Sequence, residues 1–185
     1  DEVEEVRKRV EEVIRRNEER IEDVRKKVED VIRRNEKLVD DVRREVKEVL
    51  DKLRELLERR KERVKDVVTE VEKRIRKLLD ELRRSSEEVK RLIDELLRRA
   101  EKSSREVKET IDRLIEDLKR KLKDDKETVD EVAERLKKLL EESERRVKRV
   151  LDEARKLVKR SEDRSKKVLD ELEELLRRVR KEADK

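Results

Sequence analysis

The six residues VIRRNE at positions 13 to 18 return letter for letter at 31 to 36, and the pattern of apolar residues returns with them. Apolar side chains fall at 3, 6, 10, 13, 14, 21, 24, 28, 31 and 32, a spacing of threes and fours that belongs to a helix. Eighteen residues make about five turns, so positions 3, 6, 10, 13, 14 and 17 of a block lie within an arc of about 100° and the next block lands on the same arc. A strict heptad drifts and forces a left-handed supercoil, an eleven-residue repeat a right-handed one, and their alternation cancels the two. The repeat therefore predicts long, nearly straight, untwisted helices with one apolar stripe each.

Composition agrees. Of 185 residues, 62% are charged and 31% hydrophobic, and Gly, Pro, Cys, Met, His, Phe, Tyr and Trp are all missing. High charge without aromatics is also a mark of disorder, so the case for folding rests on the stripe. Without cysteine there is no disulfide and no thiolate chemistry, and the compartment stays unknown. The opening DEVEEVRKRV is unlike a signal peptide, and no apolar run exceeds two residues, so a soluble protein without a membrane span is expected. On the polar face, Glu11/Arg15, Glu12/Arg16, Glu22/Lys26, Asp23/Lys27, Glu29/Arg33 and Asp30/Arg34 have the spacing of helix ion pairs.

The stripe keeps its phase to Ala183, which by itself is compatible with one continuous helix. The residues that interrupt it argue for three. Asn17, Asn35, Ser85, Ser86, Ser103, Ser104, Ser143, Ser161 and Ser165 are small and neutral, whereas ERRKER at 58 to 63 and KDDKET at 123 to 128 bring Arg60 and Asp125 onto the stripe. Ionised groups are costly to bury, so these two segments are the expected turns. Reversal near residue 62 pairs residues whose numbers sum to about 124, such as Val10 with Leu114 and Val46 with Leu78, setting smaller side chains against larger ones.

Folding in this way stacks the neutral polar residues. Asn17, Ser143, Ser103 and Ser104 form one expected layer, and Asn35, Ser161, Ser85 and Ser86 a second. Such layers satisfy each other by hydrogen bonding and penalise wrong registers. An 18-residue slip leaves one layer matched, so the unbroken apolar run from Leu38 to Leu57 has to supply the remaining specificity. End chemistry fits hairpin turns: LKRKLK closes the second helix with cations and DDKETVDE opens the third with acids. Thr128 with Glu131 has capping-box spacing, as have Ser85 with Glu88 and Ser103 with Glu106.

The 18-residue block, the aliphatic core, the charge-saturated surface and the Asn/Ser layers together resemble parametrically designed untwisted helical bundles made de novo. The resemblance covers the whole chain and departs only in the absence of Gly or Pro from the turns. Spectrin-like three-helix repeats are the nearest natural analogue in architecture, but their buried aromatics are missing. The resemblance implies a stable scaffold with no intended ligand.

Chemistry finds little footing. Catalysis needs a group that changes protonation near neutrality or an activated nucleophile, and with no His, Cys or Tyr the candidates reduce to Ser104 with Lys108 and to Asp124 with Asp125. A polar core layer and a turn explain both better. Zinc and di-iron sites want Cys or His, a calcium loop wants a central Gly, and phosphate loops want several, so no metal and no cofactor is expected. The formal charge of +5 invites nucleic acid, yet acids are interleaved with the bases and no aromatic can stack. An amphipathic lipid-surface helix is poorly served by Asn and Ser in its apolar stripe.

The sequence thus predicts an all-α, up-down-up antiparallel three-helix bundle in one domain, with helices over 1–60, 64–122 and 127–185. It is expected to be a monomeric, hyperstable scaffold without catalytic, metal or cofactor residues and without nucleic-acid, membrane or protein partners. The rival reading is a single continuous helix assembling into a homo-oligomeric coiled-coil rod or filament.

Overall fold

Asp1 begins the chain as a helix cap: its carboxylate accepts from the Val3 N–H at 3.1 Å and its carbonyl from the Glu5 N–H at 3.1 Å. From there the computed structural model contains three helices, α1 (Glu2–Glu58), α2 (Val64–Lys121) and α3 (Lys126–Asp184), and it describes residues 1–59 and 64–184, with side chains over 1–59 and 65–181. The protein is a three-helix bundle. Each helix starts and stops within two residues of the bounds expected from the stripe. Residues 60–63 of the first expected turn, Arg60 among them, lie outside the described residues, as does the side chain of Ala183 at the end of the stripe.

The second turn answers how a chain without glycine reverses. Leu122 donates to the Leu118 carbonyl at 3.1 Å, and Asp125 to the Leu122 carbonyl at 3.2 Å. The latter is the i to i+3 bond of a β-turn, which in its commonest form accepts most residues. Asp125 is exposed, and its carbonyl accepts the first bond of α3 from Val129 at 3.2 Å, so Asp125 is the N-cap. Thr128 is therefore the third residue of α3 rather than a cap, and Ser85 and Ser103 lie deep inside α2. In all three, capping-box spacing is not used as a cap. Helical residues 122 to 125 would have been required for one continuous rod, and that reading is excluded.

The chain divides into two compact units. The first comprises Asp1–Glu29 and Ile93–Lys156, the second Asp30–Leu92 and Leu157–Lys185. In the first, Val10 and Ile14 of α1 pack with Val107, Ile111 and Ile115 of α2 and with Ala133, Leu136 and Leu140 of α3. In the second, Val39, Val42, Val46, Val49 and Leu53 meet Val68, Ile75, Leu79 and Leu82 of α2 and Val168, Leu172 and Val179 of α3. Stripe residues on every helix are thus turned inward, each full burial of such a side chain being worth about 1.5 to 3 kcal/mol before ordering costs.

Ion pairs report the helix directions inside each unit. In the second unit Glu36 pairs with Arg164 at 3.0 Å and Arg43 with Glu171 at 3.5 Å, both separated by 128 residues, so α1 and α3 run parallel there; Glu18 with Arg146 at 2.9 Å in the first unit has the same separation. Glu101 with Arg155, and Arg83 with Glu173, have numbers that sum to a constant, as antiparallel neighbours must. Both sets recur after one 18-residue block. Exposed pairs of this kind contribute little energy but discriminate among alignments.

Candidate functional site

The polar atoms inside the apolar stripes are the main feature that the sequence singles out. Asn17 is 3% exposed and Asn35 4%, deep enough that every unpaired amide atom would carry a desolvation cost of about 1–3 kcal/mol. Side chains on neighbouring helices satisfy both. In the first unit, Ser103 donates to Asn17 Oδ1 at 3.0 Å and the Asn17 amide donates to Ser104 Oγ at 3.4 Å, while Ser104 donates to the Ala100 carbonyl at 3.0 Å. Here the contacts join α1 to α2. In the second unit, Ser85 donates to Asn35 Oδ1 at 3.3 Å and the Asn35 amide donates to Ser165 Oγ at 3.1 Å, joining α1 to both α2 and α3.

Three of the serines grouped with these asparagines in the sequence are not in those bonds. Ser143 and Ser161 are buried at 3% and 5% exposure and stand on α3 without a side-chain bond to either asparagine among the described residues. Ser86 Oγ is buried with no hydrogen-bond partner among the described residues. Ser165, placed on the stripe but left out of the second expected layer, is the serine of α3 that binds Asn35. Its signal was a break in the repeat: the residue one block earlier is Val147, so the serine at 165 departs from the pattern.

The hydrogen bonds also refine the pairing of α1 with α2. The bonded pairs 17 with 103 and 35 with 85 have numbers summing to 120, one helical turn away from the 124 read from side-chain size. A stripe spaced by threes and fours looks the same after a one-turn shift, whereas a hydrogen bond between two particular side chains does not.

The two reactive pairs considered from the sequence fall in a polar layer and in a turn. Ser104 spends its hydroxyl proton on a backbone carbonyl, and Lys108 is exposed. Asp124 and Asp125 are exposed in the turn. Among the described residues no group of three or more acidic, His or Cys side chains could hold a metal, and no helix is long and apolar enough to cross a membrane. The clearest local electrostatics lie on the surface of the first unit, where Arg25 binds Glu22 and also reaches Glu29 at 2.9 Å. Hydrogen bonding to Arg25 holds the Glu22 carboxyl below its ordinary range, and the same bond raises the Arg25 guanidinium. Of the six ion pairs read from spacing, Glu12 with Arg16 forms at 2.7 Å, while Glu22 and Glu29 share Arg25 instead. Each such pair is worth about 0.2–0.5 kcal/mol, too little to hold one geometry against a better-placed arginine.

This is the architecture of a three-helix bundle in whose interior both buried asparagines are answered by serines. The chain is similar to a solved structure described as a computationally designed three helix bundle, with a TM-score of 0.55 and 20% sequence identity, covering 98% of this chain and 85% of that one. No protein-family model and no curated protein matches it. At that identity the likeness establishes the fold alone.

Proposed function

We propose that the protein is a de novo designed structural scaffold with no biochemical activity, a monomer that folds as one cooperative, hyperstable domain of nearly untwisted helices. The observation that carries the reading is the pairing within the polar layers: both asparagines and four of the serines near them, Ser85, Ser103, Ser104 and Ser165, are spent on each other or on backbone. A binding or catalytic site keeps convergent polar groups aimed at open space, and these are not so aimed. On this reading the layers set the register of the helices, and the absence of cofactor, nucleic-acid and membrane partners follows from surfaces in which acids and bases alternate.

A thermal melt of the full chain, read by circular dichroism and repeated over a hundredfold range of concentration, tests the reading. One cooperative transition is expected, independent of concentration, with a midpoint well above about 60 °C, the upper end of ordinary domains. A lower or concentration-dependent midpoint contradicts the monomeric scaffold. Labelling with a fluorophosphonate checks the remaining nucleophile, and modification of Ser104 would overturn the assignment of no activity.

A further inference from the structure

In the second unit the seam between α1 and α3 is not closed to the surface. Three neighbouring cavities follow it, of about 520, 380 and 310 Å³. The first two share Leu50, Arg54 and Leu175, and the first and third share Arg43 and Glu171, so they form one continuous groove. Two ion pairs cross it at one end, Glu36 with Arg164 at 3.0 Å and Arg43 with Glu171 at 3.5 Å. Beyond Arg43, no pair bridges α1 and α3 among the described residues. The open stretch has a floor of half-buried Leu50 and Leu175 lying over the buried Val46 and Leu53.

Charge decides what suits this floor. Arg44, Lys47 and Arg54 stand on the α1 wall and are in no ion pair among the described residues, while the acids of the largest cavity are Asp51 and the already paired Glu171. Cations with long aliphatic stems beside an aliphatic trough match a molecule with a greasy chain and a negative head. A cavity of about 520 Å³ is within the usual range for small-molecule sites, about 300–1,000 Å³. A second copy of this chain would bring the same cationic wall to the groove, and a docked helix, about 10–12 Å across, would have to displace the crossing ion pairs to follow the groove's whole length.

We propose that this groove binds a single anionic amphiphile, an unbranched alkyl chain carrying a carboxylate or sulfate, with the chain on Leu50, Leu53 and Leu175 and the head beside Lys47 and Arg54. Binding is a property of surface that a scaffold leaves uncovered, and it stands or falls independently of the scaffold reading.

The test titrates full-length protein, methyl-labelled at Ile, Leu and Val, with sodium dodecanoate below its micelle concentration, and in parallel with dodecyltrimethylammonium. One dodecanoate per chain is expected, with methyl shifts confined to Leu50, Leu53, Leu175 and their neighbours. The cationic amphiphile should bind at least about tenfold more weakly, and so should dodecanoate to the double variant Lys47→Glu/Arg54→Glu. Both substituted positions are exposed, and an unchanged circular dichroism spectrum shows the fold intact. Equal affinity for the two amphiphiles, several bound per chain, no saturable binding, or an unaffected double variant overturns the proposal. So does a chain whose groove methyls shift on dilution as a dimer dissociates, since the occupant is then a second copy.

Discussion

The two units solve one problem with nearly the same residues and reach different answers. Each buries an asparagine of α1 beside a Ser-Ser pair of α2. In the first unit Asn17 turns both amide atoms to that pair, and α3 contributes no hydroxyl to it. In the second, Ser165 of α3 draws the amide of Asn35 away, and Ser86 is left without a partner. One departure from the repeat, Ser165 where the earlier block has Val147, accounts for both the extra link and the orphaned hydroxyl. The Asn35 side chain has two N–H donors and an oxygen with two lone pairs, enough for three hydroxyls, but it bonds Ser85 and Ser165 and does not bond Ser86.

The largest test of the comparison is whether the units unfold apart. Ile111 in the first and Ile75 in the second are completely buried, and truncation of either to alanine should cost about 2–5 kcal/mol. If the chain is one cooperative domain, each variant will lower the protection of slow amides in both units by the same amount in native-state hydrogen exchange. Loss restricted to the mutated half would show two independently melting bodies.

A smaller effect isolates the layers. Ser165→Ala removes the Asn35 partner on α3, but Ser86 is the block-equivalent of Ser104, the residue that receives the amide of Asn17. We expect the amide of Asn35 to turn to Ser86, limiting the cost to under about 1 kcal/mol, whereas Ser165→Ala with Ser86→Ala strands the amide and costs about 1–3 kcal/mol. A double-mutant cycle in urea measures the coupling, and strict additivity would mean that the second layer cannot adopt the arrangement of the first. Ser86→Ala alone should raise stability by about 1 kcal/mol, while the equivalent Ser104→Ala in the first unit lowers it.

Smallest of all are the surface pairs. Arg146→Ala and Arg164→Ala should each change stability by less than about 1 kcal/mol, equally in both units, and the change should vanish in molar salt. The first unit also carries the Glu22–Arg25 pair. Because the Glu22 carboxyl is held below its ordinary value, the stabilisation is present above that value and is lost as pH falls through the depressed one. An acid titration should therefore show Arg25→Ala converging on the parent protein at low pH.

Much of this was legible in the residues alone. The positions of Asn17 and Asn35, the inward face of every helix and the turn at 122 to 125 follow from the stripe and from where charge interrupts it. Ser165 was visible as a small polar residue on the stripe, yet Ser161 looked the better partner because it keeps its place in the block, and the repeat favoured the regular choice. The alignment of α1 with α2 was legible only to within about one turn, because a stripe with near-palindromic spacing accepts several alignments almost equally.

The sequence by itself determined that there are helices, how long they are and which side of each is buried, since periodicity and charge act within a single helix and need no partner. Only the tertiary structure decided the register and the pairing of the polar layers. Those depend on directional hydrogen bonds between residues 50 to 130 positions apart, such as Ser85 with Asn35 and Asn35 with Ser165, and direction is fixed only once three helices have met.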